Sequence, residues 1–246
     1  MVGELICRCT RGRGRAEPSS LGPLPVVRWT VYAWPELSPR QLERRLRRAE
    51  RGLAKLGVGR VVLREDFPYG DRLELLRPVD ALPLWRDLAD VLALAALESA
   101  NIPRHRGSVA LSAPRLCSEL MAAAERLCPQ VRGLLIDAPG GADYARRLQA
   151  RFGLPVTPPA AGADVTAAFG PGGGRWGRCL ELYGAAELGG LTVSVRDMTL
   201  PEDCAGQVLA LLWEQGLVWR KKLLVRETVG VAERPRLVYD GGREKD

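Results

Sequence analysis

The chain is poor in the residues that build metal and acid–base sites. Among 246 residues it has one histidine, His105, and one asparagine, Asn101. A lone histidine excludes the His-Glu-x-x-His zinc signature and any cluster of imidazoles. Six cysteines stand at 7, 9, 117, 128, 179 and 204, yet no two are spaced Cys-x-x-Cys. The ligand spacing of a structural zinc site is therefore missing. Cys117 and Cys128 fall on a predicted helix and read as small buried apolar residues. The sequence also lacks a Gly-x-Ser-x-Gly nucleophile turn. The longest uncharged apolar run, Val91 to Leu97, is far short of the roughly 20 residues that a membrane helix needs. The opening MVGELICRCTRGRGR lacks the apolar core of a secretory signal. These two absences predict a cytoplasmic protein with no membrane partner.

Lysine is scarce as well, at 4 against 32 arginines, and the net charge is +7. Isoleucine and phenylalanine number three each. Lys, Asn, Ile and Phe have AT-rich codons, whereas Arg, Ala, Gly and Pro have GC-rich ones, so genome composition accounts for much of the arginine. On that account basic side chains scatter over the surface and pair with nearby acids, and nucleic acid is not expected as a partner. The alternative is geometric. Basic stretches occur at Arg8–Arg15, Arg40–Lys55 and Trp219–Lys222. If Arg44, Arg47, Arg48 and Arg51 line up with the 8–15 segment, they form a polyanion site with a steep salt dependence.

What is present suits a globular α/β chain, with 46% hydrophobic and 26% charged residues. Residues 1–25 read as a flexible basic arm, because arginines at 8, 11, 13 and 15 alternate with small residues and Pro, Ser and Gly follow. Its start, Glu4 to Cys7, could add an edge strand. Residues 26–231 read as the α/β domain, with a possible internal boundary near 104, and 232–246 as a loose tail. Strands are predicted near 27–33, 60–63, 108–112, 132–137, 154–157 and 165–169. Ser38-Pro39-Arg40-Gln41 opens a helix with a capping box. Leu42, Leu46, Ala49 and Leu53 give that helix one apolar stripe to lay on a sheet. Leu84–Ala100 is predicted as one long apolar helix, Leu73–Leu76 as a short strand and Thr199–Glu202 as a second capping box. The glycine-rich segment 170–177, between two strand-like runs, is predicted as a hairpin tip carrying Trp176.

Residues 108–157 read as strand, helix over 114–128, strand, helix over 140–153 and strand, a βαβαβ half-unit. The first turn, where a dinucleotide site needs Gly-x-Gly-x-x-Gly, is Ser112-Ala113-Pro114-Arg115-Leu116-Cys117 and holds no glycine. Asp137 ends the second strand, and Ala163-Asp164-Val165-Thr166-Ala167-Ala168 comes after the third. Over about residues 108–170 the chain resembles a degenerate NAD(P)-binding Rossmann-type domain of the shikimate dehydrogenase or glutamyl-tRNA reductase kind, without the glycine fingerprint. The resemblance implies a three-layer α/β fold with a mainly parallel, Rossmann-like sheet, here with a β-hairpin-rich C-terminal part. It also implies a ligand crevice at the carboxyl ends of the strands, with Asp137 in the place of the ribose-binding acid.

Cofactor-site candidates follow from that crevice. Ser112 and Arg115 lie on the first turn, where Arg115 could offer phosphate a charge while Pro114 has no N–H to give. Gly140 and Gly141 sit at a strand-to-helix junction whose N–H groups could hold an anion. Gly172 to Cys179 is a near match to a phosphate-binding P-loop, but Arg178 and Cys179 replace its Lys and Ser/Thr, and a strand rather than a helix follows. Glu65, Asp66, Asp71, Glu74 and Asp80 cluster in one long loop and read as soluble loop residues. No nucleophile, base and orienter form one constellation. The sequence therefore points to a non-catalytic Rossmann-like protein that binds a small ligand or a protein partner and carries no cofactor. The first alternative is a nucleotide-cofactor enzyme of NAD(P) type with a non-standard phosphate loop. The second is a basic nucleic-acid-associated protein.

Overall fold

The computed structural model describes residues 1–64, 67–153 and 162–228. Its first sheet contains β1 (Val2–Arg8), β2 (Ala16–Leu21), β3 (Leu24–Tyr32), β4 (Arg60–Leu63) and the short β5 (Arg77–Pro78), in the order β2-β3-β1-β4-β5. β1 lies in the middle, parallel to both β3 and β4. β2 and β3 form an antiparallel hairpin turned at Gly22, whose φ is +60°. The expected basic arm is thus mostly sheet. Its local composition cannot bury apolar surface, but pairing does so: Leu5 is fully buried on one face of β1 and Glu4 on the other.

Helix α1 (Pro39–Lys55) begins as predicted. Ser38 Oγ accepts from Gln41 N at 3.3 Å, and Gln41 Oε1 accepts from Ser38 N at 3.2 Å. Leu42, Leu46, Ala49 and Leu53 pack with Leu5, Trp29, Val31 and Val61 in a small core on one face of the sheet. Leu73–Leu76 is not a strand, because the N–H groups of Glu74, Leu75 and Leu76 all donate to Glu50 Oε1 of α1.

The second sheet contains β6 (Ser108–Ser112), β7 (Gly133–Asp137), β8 (Val165–Ala168) and β9 (Arg178–Glu181), all parallel, in the order β7-β6-β8-β9. The predicted parallel neighbours 108–112 and 133–137 are paired in register, Ser112 opposite Asp137. The predicted strand at 154–157 lies outside the described residues, as do Glu65, Asp66 and the tail at 232–246. α4 (Ser118–Leu127) connects β6 to β7, and α5 (Gly141–Phe152) follows β7. α4 starts later than predicted because Cys117 is still extended, with φ −125° and ψ 161°.

The segment 170–177 is not a hairpin tip, since β8 and β9 run parallel. Thr166 Oγ1 accepts from Trp176 N at 2.8 Å and donates to Trp176 O at 2.6 Å. This clasp lays the segment back over the face of β8, so the chain re-enters the sheet in the original direction. The long apolar helix is stepped at Leu88 into α2 (Leu82–Asp87) and α3 (Ala89–Ser99). At the step the Asp87 carbonyl accepts from Arg126 and Arg220. α6 (Ala205–Glu214) lies between β10 (Leu191–Val195) and β11 (Leu223–Glu227), which pair antiparallel. The second capping box does not form. A 3-10 turn over Glu202–Cys204 precedes α6, capped at Pro201 with no side-chain hydrogen bond, and the neighbouring Asp203 pairs with Arg64.

The fold is three-layer α/β with mainly parallel sheets. α1 covers one face of the first sheet, and the larger core joins the other face to the second sheet through α2, α3, α4 and α6. No described helix is long and apolar enough to cross a membrane.

Candidate functional site

In the second sheet the chain moves outward from β6 to β7 and then crosses to the far side of β6 for β8 and β9. The order reverses beside β6, and open α/β sheets bind ligands at the carboxyl ends of strands at such a reversal. Ser112, Asp137 and Arg115 all lie at this edge.

Ser112 and Asp137 meet there. Ser112 is fully buried and its Oγ donates to Asp137 Oδ2 at 3.4 Å. The same carboxylate oxygen accepts the backbone N–H of Gly174 at 2.6 Å. The segment from Gly170 to Gly174 therefore covers the strand ends. It fits only because it is glycine: a Cβ on Gly173 would stand 1.5 Å from Ser112 Oγ and 3.3 Å from Asp137 Oδ2. The acid that a dinucleotide's ribose would need is already held by the chain's own backbone.

Arg115 is brought to the neighbouring opening between β6 and β8, of about 620 Å³, lined also by Arg86, Cys117, Ser118, Phe169 and Tyr183. Arg86 is committed to structure, donating to the carbonyls of Leu182 at 2.9 Å and Phe169 at 3.1 Å. Arg115 is exposed and forms no ion pair among the described residues. At the start of α4, Glu119 folds back on the helix end. Its carboxyl accepts its own N–H and the Ser118 hydroxyl, which lowers its pKa from the ordinary carboxylate value. A first-turn carboxylate also complements the positive end of the helix. The Glu119 N–H at the helix start is thus engaged by that residue's own carboxylate, at the wall of the opening.

Gly140 and Gly141 stay apart from this opening and build the turn into α5. Gly140 is left-handed at φ +75°, and Gly141 N donates to Ala138 O at 2.8 Å. The other sequence candidates do not converge. His105 is exposed in a 3-10 turn. Glu74 pairs with Arg47 at 3.5 Å, and Asp80 accepts the N–H of Leu82. Arg178, the near P-loop residue, binds Gly189 O and Glu227. Arg220 is taken by Asp90 and Asp87. Among the described residues, no group of three His, Cys, Asp or Glu could hold a metal ion. Sequence reading named Gly173 and Gly174 only within the near P-loop, missing their contacts with Ser112 and Asp137, and it missed Glu119. The only signal was the run of glycines, which marks a close backbone approach without saying to what.

No protein-family model matches the chain, and no curated protein matches it. Among solved structures, the L-tryptophan dehydrogenase from Nostoc punctiforme is similar over 58% of this chain and 44% of its own, with 19% sequence identity and a TM-score of 0.28. The chain thus spans less than half the length of that protein.

Proposed function

We propose that this chain is a non-catalytic α/β interaction protein in which the Rossmann-like half is a scaffold rather than a nucleotide site. The observation that carries this reading is the hydrogen bond from Gly174 N to Asp137 Oδ2, with Gly173 seated on Ser112. Both groups a dinucleotide would use are satisfied internally, the acid by Gly174 and the helix start by Glu119. A dinucleotide would have to displace the 170–174 segment and leave its polar groups to find new partners, which disfavours tight binding.

The second reading is an enzyme with a nucleotide-type cofactor. It is favoured by one observation, the 620 Å³ opening beside the free Arg115. Calorimetric titration with NADH and NADPH separates the two. The scaffold reading expects no saturable heat at micromolar protein. Micromolar affinity that disappears in Asp137→Ala would overturn it in favour of the enzyme.

A further inference from the structure

The two basic stretches converge on one side of the first sheet. The segment between β1 and β2 lies against the end of β3 and the flank of α1, and encloses a groove of about 480 Å³. Arg13, Arg44, Arg45 and Arg48 line it together with Tyr32 and Trp34. A second groove of about 540 Å³ continues along α1, sharing Trp29, Arg44 and Arg48 with the first and adding Arg51 and Lys55. The track follows one helix flank, since Arg44, Arg48, Arg51 and Lys55 recur at spacings of four, three and four. From Gln41 to Lys55 it runs about 21 Å at 1.5 Å per residue.

This charge is not neutralised from within. Arg13, Arg44, Arg48 and Arg51 are exposed and form no ion pair among the described residues. Several arginines elsewhere do pair, Arg28 and Arg64 with Glu4, Arg60 with Glu214, Arg104 with Glu98, whereas exposed ones without a pair, such as Arg115, stand singly rather than in a row. Of the two acids of α1, Glu43 holds Arg47, which also lines the second groove and is the one arginine there with an ion pair among the described residues, and Glu50 holds the backbone at 74–76. Scatter with local pairing, expected from codon composition, does not describe this face.

Aromatic rings accompany the charge. Gly12 and Gly14 lie flat on Tyr32 and Trp29, where a Cβ would come within 2.5 Å and 2.6 Å of ring atoms. That explains the Arg-Gly-Arg-Gly-Arg pattern: glycines face the rings and the arginines between them stay exposed. Arg45 sits over Trp34 at 4.6 Å and Arg11 at 5.9 Å, and Arg45 also anchors the segment through Gly12 O at 2.9 Å. A concave cationic track with aromatic rings in its floor is the arrangement that follows a phosphodiester backbone while accepting unpaired bases.

We propose that this groove binds single-stranded nucleic acid, with phosphates on Arg44, Arg48 and Arg51 and a base beside the Arg45–Trp34 pair. The inference is independent of how the carboxyl edge of the second sheet is used. The test is fluorescence anisotropy on the full chain with labelled single-stranded DNA and RNA of mixed sequence, the matching DNA duplex, and a sulfated polysaccharide as competitor, at several salt concentrations. Saturable binding of either single strand is expected, and the tighter one identifies the natural form. The logarithm of affinity should fall against the logarithm of salt with a slope of about 2 for three phosphates at about 0.7 each. Arg44→Gln with Arg48→Gln, both on the exposed surface, should lower that slope by about 1.4. Trp34→Leu should weaken single-strand binding about tenfold and leave the slope alone. Melting curves confirm that each variant is folded. A flat salt response, or no change in the double arginine variant, overturns the site. Equal affinity for the duplex or the polysaccharide overturns the assignment to single strands.

Discussion

The indole of Trp29 occupies the space beside Gly52, where a Cβ would fall 2.2 Å from Cζ3. Gly52 lies inside α1, a position where glycine normally costs roughly 0.5–1 kcal/mol relative to alanine. Gly52→Ala should therefore run against the helix scale. The added methyl pushes α1 off the sheet, and overpacking of this kind costs roughly 1–3 kcal/mol. Urea unfolding is the check, and a stabilised Gly52→Ala protein would refute the packing account.

Asp137→Ala should release the segment over the second sheet. The lost contact is a charge-assisted hydrogen bond worth about 1.5–3 kcal/mol. Limited proteolysis should then cut between Gly170 and Gly177 faster than in the parent, and Trp176 fluorescence should report a changed environment. Equal cleavage rates would mean that the Thr166–Trp176 clasp holds the segment alone.

Glu4 is fully buried and takes Arg28 Nε at 2.6 Å and Arg64 Nε at 2.8 Å on separate oxygens. Arg64 reaches on to Asp203 at 2.7 Å, and these acids hold its guanidinium above its ordinary pKa despite burial. Glu4→Gln leaves Arg28 without its carboxylate and Arg64 with Asp203 alone, and should cost about 3–5 kcal/mol as for other broken buried pairs. A melting temperature within error of the parent would contradict this.

Glu119 gives a pH signature. Its carboxyl titrates lower in the folded chain than in the unfolded one, so it stabilises the fold above the ordinary carboxylate range, about 4.3. That contribution is lost as pH falls through the lowered value. Glu119→Gln should thus be less stable than the parent at neutral pH, and the gap should close in acid as the parent's curve descends. Paired melting curves across pH measure it, and a gap that stays constant would remove Glu119 from the helix start.

Legibility followed sequence separation. The Ser38–Gln41 box, the stripe under α1 and the strands at 108–112 and 133–137 were readable because neighbouring residues decide them. β1 was readable only as an edge strand over Glu4–Cys7, because the groups that make it central stand at Val27 and Arg60 and beyond. The parallel entry of β9 depends on Thr166 gripping Trp176, a contact no local pattern announces. At the carboxyl edge the sequence supplied Ser112, Asp137 and Arg115 but not what covers them. The basic groove was legible as three charged stretches, of which the structure unites two, while Arg220 of the third is taken by Asp87 and Asp90.

The central position of β1 also bears on how the chain acquires its shape. The β2–β3 hairpin is local, whereas β1 joins Val27 and Arg60 across long loops, and such distant parallel pairings form slowly. β4 is tied down from further along the chain still, where Gln207 of α6 clasps both the N–H and the C=O of Leu63 from 144 residues away. Until α6 arrives, the β4 side of the first sheet is a poorly guarded edge, open to pairing with another chain. Shortened versions that stop before Ala205 should accordingly aggregate during refolding, even though every strand of that sheet is present in them.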